Sequence, residues 1–288
     1  MTASTSDRPT SSSTSLSDFS PERPFLLLGC GKMGGALLDG WLANGLDPRA
    51  TVILDPYPSD ALKQIEGLTL ITDGTYQGPA PRAVMLAVKP QMMDDALPSV
   101  SEMAGPETLY ISIAAGKPLA YFEGLLGAAT PIVRVMPNTP AAVGAGASAL
   151  IANTGCSKAD KELASALTDA AGISVWLDHE DQMDAVTGVS GSGPAYIFHM
   201  IEALTAAAEA EGLAPDLALA LARQTVIGAA ALAAASPETA ETLRVNVTSP
   251  KGTTEAGLVV LMDSESGLTS LMRKTVSAAA NRSRELRS

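Results

Sequence analysis

Residues 24–34, PFLLLGCGKMG, carry an unbroken apolar run straight into a glycine-rich turn that opens a helical pattern. An apolar stretch without alternation suits a strand buried on both faces, as in a parallel sheet. The turn reads Gly29-Cys30-Gly31-Lys32-Met33-Gly34, of the form G-x-G-x-x-G. Between a strand and a helix, that pattern is the fingerprint of a dinucleotide-binding βαβ unit. Gly29 permits the tight turn, Gly31 lets a pyrophosphate approach the backbone, and Gly34 lets helix and strand pack closely. The phosphates then meet the free N–H groups and positive end of the helix. Leu28, Cys30, Lys32 and Met33 join the three glycines as candidate cofactor contacts. The competing reading is an ordinary glycine turn in an α/β protein.

Further strand-length apolar runs follow: TVILD (51–55), AVMLAV (83–88), LYISI (109–113) and IVRVM (132–136). Helical patterns at about 33–44, 59–66, 91–104 and 118–126 lie between them. This alternation predicts a parallel sheet covered on both faces, an α/β Rossmann-type domain. ASALIA (147–152) and ISVWL (173–177) add edge strands around a helix at about 157–171. Ligands of such sheets bind at the carboxyl ends of the strands. Asp55 ends the second strand, where a carboxylate accepts hydrogen bonds from a ribose 2′-OH and repels a 2′-phosphate. No basic residue follows until Lys63, which favours NADH over NADPH; alternatively Asp55 turns outward and caps a helix near Ser59. AVKP (Ala87, Val88, Lys89, Pro90) ends another strand and brings Lys89 near the phosphates or the nicotinamide, unless it is a solvated lysine before a turn proline. The small residues Ala114 and Ala115 of SIAAG allow close approach of a cofactor. Asn138 and Thr139 of MPNTP line the nicotinamide side, or belong to a proline-bounded loop.

After Trp176 the character changes. Ala-rich helical runs occupy about 181–189, 194–212, 215–235, 237–246, 254–262 and 267–286, with no convincing strand among them. Ile197, Met200, Ile201 and Leu204 share one helical face. The expected organisation is a disordered Ser/Thr/Pro-rich tail over 1–22, a dinucleotide-binding domain over 23–179, and an all-α domain over 180–288. The chain's 288 residues suffice for two domains. Wide apolar faces on the small-residue helices predict a homo-oligomer. A net charge of −12 argues against nucleic acid or an anionic membrane as partner. No apolar run reaches the ~20 residues of a membrane span. Cys30 and Cys156 stand in no metal-ligand spacing and suggest a reducing, cytoplasmic setting without a disulfide framework. No metal site is expected.

A nicotinamide cofactor implies hydride transfer. Reduction of a ketone usually needs a positioned acid. His179, His199, Lys251, Arg223 and Arg244 have no evident partner, and His199 reads as a packed structural histidine. An acceptor already activated as a protonated imine needs less help.

DAVTGVSGSGPAYIFHMIEAL (184–204) and VTSPKGTTEAG (247–257) resemble the two signature stretches of the pyrroline-5-carboxylate reductase family. GCGKMG, AVKP, SIAAG, RVMPNTP and the closing RSREL are similar to the same family in the same order, from about Pro24 to Arg287. The resemblance implies reduction of 1-pyrroline-5-carboxylate to L-proline with NADPH or NADH, the last step of proline biosynthesis. It also implies a Rossmann domain followed by a helical domain that makes an interlocked homodimer, often assembled into a ring of dimers. In that reading Ser249 and the N–H groups of Gly252, Thr253 and Thr254 take the substrate carboxylate. The Thr254 hydroxyl lies beside the imine nitrogen and is the candidate catalytic group. Asn246 touches both cofactor and substrate, and Glu180 lies near the substrate pocket. VSGSGP is either architectural, a helix start with Pro194 in its first turn, or in direct contact with the substrate. This chain departs from the family pattern at Lys251, where glycine is usual, and at Asp55, where small or hydroxyl residues are common. A relative of the β-hydroxyacid dehydrogenases would carry a catalytic lysine on a helix after a Gly-rich segment, which GSGPAYIFH lacks. A non-catalytic nucleotide sensor would have no reason to keep SPKGTTEAG.

Overall fold

The computed structural model describes residues 16–103 and 105–287. Eight strands form one sheet: β1 Phe25–Leu28, β2 Thr51–Leu54, β3 Thr69–Ile71, β4 Ala83–Leu86, β5 Leu109–Ser112, β6 Ile132–Met136, β7 Gly146–Ala152 and β8 Gly172–Trp176. Their order is β3-β2-β1-β4-β5-β6-β7-β8. All pairs are parallel except β6 with β7. Strand order reverses beside β1, which pairs with β2 through Leu26↔Val52 and with β4 through Leu26↔Val84. That reversal opens a crevice at the carboxyl ends of β1 and β4.

Both faces of the sheet are covered, as the unbroken apolar strands require. Phe25, Leu27, Ile53, Met85 and Val133 point to one side, against Leu37, Leu38 and Trp41 of α1 (Lys32–Ala43) and against Leu163 and Leu167. Leu26, Val52, Val84, Tyr110 and Ile132 point to the other, against Met93, Val100 and Phe122. The short α2 (Asp60–Lys63) starts at Ser59, whose hydroxyl accepts the Leu62 N–H. The helix expected over 91–104 is a 3-10 turn followed by α3 (Met93–Ala96) and α4 (Pro98–Ser101), because Pro98 interrupts it. α5 (Leu119–Leu126) and α6 (Lys158–Asp169) complete the layers. β3 has no apolar signature and exists through its pairing with β2.

Positions 1–15 of the expected disordered tail lie outside the described residues. From residue 16 the chain is anchored, which corrects the expectation for 16–22: Leu16 and Phe19 are buried, and Phe19 packs edge-on against Phe25.

The chain divides into two compact units, one reaching Gly191 and including the residues from Arg282 onward, the other Ser192–Asn281. The division falls twelve residues after the boundary expected at 180. α7 (Gln182–Val186) and the π-helical turn Thr187–Gly191 stay with the sheet because Met183 and Asp184 are buried in that unit. Asp184 accepts a hydrogen bond from the Ser283 hydroxyl at 2.8 Å and forms an ion pair with Arg287.

The second unit holds α8 (Gly193–Ala210), α9 (Pro215–Ala235), α10 (Ala240–Asn246), α11 (Thr253–Leu261) and most of α12 (Leu268–Glu285). Its buried apolar side chains are only Ala218, Ala222 and Ala280, among the described residues. Phe198, Leu217, Leu221, Val259 and Val260 are exposed on the single chain. So is His199, which pairs with Glu202 at 2.8 Å instead of packing in a core. By length and composition α9 could cross a bilayer, with a mean hydropathy of 1.6, contrary to the expectation that no run is long enough. Asp216 and Arg223 interrupt it. Apolar character on most sides of a helix calls for burial against other helices as well as for lipid.

Candidate functional site

A cavity of about 520 Å³ occupies the crevice at the carboxyl ends of β1 to β4. Residues 28–31, 54–57, 71–74 and 87–89 line it, closed on one side by Met92, Asp95, Ala96 and Ser99. The glycine loop has the shape its sequence implies. Gly29 sits at φ +85°, and a β-carbon there would lie 2.8 Å from Val88 Cγ1. At Gly34 a β-carbon would lie 2.7 Å from the Gly29 carbonyl oxygen, so the first turn of α1 packs directly on the loop. Gly31 differs: a β-carbon there meets nothing within 4 Å, and the position lines the cavity. No side chain caps α1, whose first N–H groups remain available to an anion. An open glycine, an uncapped helix and a crevice at the sheet's reversal fit a dinucleotide pyrophosphate.

Asp55 projects into this cavity and does not cap α2. Its Oδ2 accepts the Cys30 N–H at 2.7 Å and its Oδ1 the Tyr57 N–H at 2.8 Å. Burial, with the charges of Asp55 and Asp39, pushes the Cys30 thiol up to about 11. That thiol stays protonated and unreactive at neutral pH.

Leu28, Gly29, Cys30, Gly31, Asp55, Ala87, Val88 and Lys89 therefore meet around one cavity. Lys32 lines a neighbouring hollow of about 800 Å³, which shares Cys30, Gly31 and Tyr57 with the first. Met33 packs on the core, and Pro90 begins the turn leading to α3. Ala114 and Ala115 follow β5, one strand beyond the lining. Asn138 is braced on both sides: its Oδ1 accepts the Ala147 N–H at 2.9 Å, and its Nδ2 donates to the Ser190 carbonyl at 3.1 Å. It ties the end of β6 to the π turn of the VSGSGP signature, an architectural task.

Glu180 is also engaged. Its Oε1 accepts the Leu119 N–H at 2.7 Å and forms an ion pair with Arg134, a buried cation on β6. Arg134 escaped the sequence reading. The signal was a single arginine inside the apolar run IVRVM, where burial requires a partner.

The substrate candidates on the helical unit converge on one short segment. Asn246 ends α10, and Ser249, Gly252, Thr253 and Thr254 form the entrance to α11. No side chain caps α11 at Gly252. A β-carbon at Gly252 would lie 2.9 Å from the Ser249 carbonyl oxygen and 2.5 Å from its hydroxyl oxygen, and the backbone contact is the one that requires glycine. Lys251 has φ +57°, the only positive φ of a non-glycine among the described residues, and its N–H donates to Glu255 Oε2 at 2.6 Å. A left-handed backbone costs a side-chain-bearing residue about 1–2 kcal/mol. Glycine relieves that strain, but its greater freedom in the unfolded chain offsets part of the gain. Lys251→Gly should therefore stabilise the protein by roughly 0.5–1 kcal/mol in thermal unfolding. A fall in the midpoint would mean that the lysine side chain makes a compensating contact.

The family model described as pyrroline-5-carboxylate reductase dimerisation matches residues 180–286. Residues 25–116 match the model of coenzyme F420-dependent NADP oxidoreductases. A pyrroline-5-carboxylate reductase of Pseudomonas aeruginosa is 40% identical over 262 residues, covering 90% of this chain and 95% of that protein. The structure of a Coxiella burnetii pyrroline-5-carboxylate reductase superposes with a TM-score of 0.86 at 38% identity, covering 93% of this chain and 99% of that one. A Plasmodium falciparum pyrroline carboxylate reductase, crystallised with NADP bound, gives 0.78 at 28% identity, covering 93% and 99%. With full-length similarity at this level and both halves of the chain matched, the chain belongs to the pyrroline-5-carboxylate reductase family.

Proposed function

We propose that this protein reduces the C=N bond of 1-pyrroline-5-carboxylate to give L-proline, using NADH or NADPH. The observation that carries this reading is the pairing, in one chain, of an open glycine loop at the sheet's reversal with an uncapped helix entrance reading SPKGTTEAG. When bound, the reduced nicotinamide supplies a hydride to the imine carbon. The chain binds and orients. N–H groups at the start of α11 receive the substrate carboxylate, with Ser249 beside them. The Thr254 hydroxyl holds the imine nitrogen, which keeps its proton as the C=N electron pair moves onto it. Much of the rate comes from holding the two reacting carbons in register. Asn246 contributes to both ligands. Glu180 supports the pocket through Arg134 and α5.

The helical unit associates with a second copy, since a lone copy leaves Phe198, Leu217 and Leu221 uncovered. α9 is the natural centre of that homodimer. Assembly into a ring of dimers rests on family resemblance. The half-buried free thiols Cys30 and Cys156 suit a reducing cytoplasm.

The test is turnover of 1-pyrroline-5-carboxylate, read as oxidation of the reduced cofactor. Thr254→Ala should lower kcat by about 100-fold, as for loss of one positioned polar group in a reacting site. Cofactor affinity should hold, and Thr254→Ser should restore most of the rate. Full activity in Thr254→Ala would remove the threonine from the chemistry, and no turnover by the wild type would remove the function.

A further inference from the structure

We propose that Asp55 makes this enzyme selective for NADH over NADPH. The inference rests on the reading of the 520 Å³ cavity as the dinucleotide site.

Asp55 ends β2, where the adenosine ribose lies in this architecture. Two backbone N–H groups pin its carboxylate, Cys30 from the glycine loop and Tyr57 from the loop after β2. Each carboxylate oxygen has capacity for a further bond after accepting one N–H. The pinned group therefore offers two acceptors to two ribose hydroxyls. A 2′-phosphate carries about −1.5 to −2 charges at neutral pH and brings repulsion in place of a hydrogen.

The surroundings do not counter that repulsion. A phosphate at this position needs N–H donors or a cation, and the loop after β2 is poor in both. Pro56 and Pro58 have no N–H, and the Tyr57 N–H already goes to Asp55. Ser59 Oγ accepts the Leu62 N–H as the cap of α2 and keeps its O–H, a neutral donor that cannot balance a phosphate's charge. Lys63, the first cation of the segment, pairs with Asp60 at 2.9 Å. Around the cavity the carboxylates of Asp55, Asp73 and Asp95 face one lysine, Lys89. Among the described residues, the cation that lines the adjoining hollow with Tyr57 and Ser59 is Lys32. Tyr57 is 89% exposed between the two hollows and offers a face for the adenine.

The experiment compares kcat/KM for NADH and NADPH at saturating 1-pyrroline-5-carboxylate, together with calorimetric binding of NAD+ and NADP+. It uses the wild type, Asp55→Ser, Asp55→Asn and Lys32→Ala. The wild type should favour NADH by at least roughly tenfold, the scale of one unrelieved like-charge contact. Asp55→Ser should cut the NADH:NADPH ratio at least roughly tenfold, through the cofactor KM and not the imine KM. Asp55→Asn, which keeps an acceptor and loses the charge, should move the ratio the same way and guards against a loop collapse in the serine variant. Lys32→Ala should weaken both cofactors alike. Equal use of the two cofactors, or an NADPH preference that Lys32→Ala removes, overturns the proposal and leaves the reductase assignment intact. An NADH preference unchanged in both Asp55 variants removes Asp55 as its cause. If neither dinucleotide binds or is oxidised, the reductase reading fails and takes this one with it.

Discussion

Gly31→Val is expected to raise the dissociation constant for a nicotinamide dinucleotide at least about 100-fold, roughly 2.7 kcal/mol, with little change in the unfolding temperature. The fold has no objection to the substitution. Gly31 has φ −71° and ψ −162°, an extended conformation that valine adopts readily, and an added β-carbon meets nothing within 4 Å. What the position faces is the cavity, at the uncapped start of α1, where the proposed pyrophosphate would come within contact of the backbone. Gly29→Val makes the contrast. There φ is +85°, and the β-carbon would lie 2.8 Å from Val88 Cγ1 and 3.2 Å from the Val88 nitrogen. That variant should lose binding and also about 2–4 kcal/mol of stability, from strain and overpacking together. Calorimetric titration with NADH and differential scanning calorimetry on both variants separate the two effects. Wild-type affinity in Gly31→Val would mean that the phosphates do not pass over this loop.

Asp184→Ala should destabilise the sheet-containing unit by about 3 kcal/mol, the lower end for removing one partner of a buried ion pair. The Asp184 side chain is 2% exposed. Its Oδ1 accepts the Ser283 hydroxyl, and its Oδ2 lies in ion-pair contact with Arg287 and 4.0 Å from Arg284 Nε. Oδ2 has no well-aligned hydrogen bond, so its stability depends on those charges. Arg287 and Arg284 are partly solvated, which limits the cost of stranding them. The same closing segment lies against Gly116, where a β-carbon would sit 3.1 Å from the Leu286 carbonyl oxygen. A double-mutant cycle of Asp184→Ala with Arg287→Met should give a coupling above ~1 kcal/mol. An Asp184→Ala protein that melts at the wild-type temperature would show that the C-terminal residues do not hold this unit.

Much of the architecture is legible because its signals are local. Period and run length along the chain identify the strands TVIL, AVML and LYIS and the Ala-rich helices, and the spacing in GCGKMG predicts a turn that a few glycine torsions then satisfy. β3 was not legible: Thr69–Ile71 has no pattern of its own, and its partner β2 supplies the bonds. Pro98 divided a helix whose apolar period looked continuous. Leu16 and Phe19 looked like part of a polar tail because each has value only against side chains it reaches through folding, Phe25 among them. At the site, Asn138 and Glu180 were both expected at ligands, and both have protein partners on other elements.

The chain alone shows a dinucleotide-type sheet ahead of an Ala-rich helical unit, and marks the glycine loop and SPKGTTEAG as the candidate segments for the chemistry. These follow from residue type and near spacing. Long-range folding alone sets the Cys30 N–H on Asp55, Arg134 on Glu180, and Asp184 on Ser283 from 99 residues away. Each of those bonds joins groups that local preference cannot bring together. Burial of the intervening sheet and helices does so, and it leaves a charge or N–H that must then find a partner.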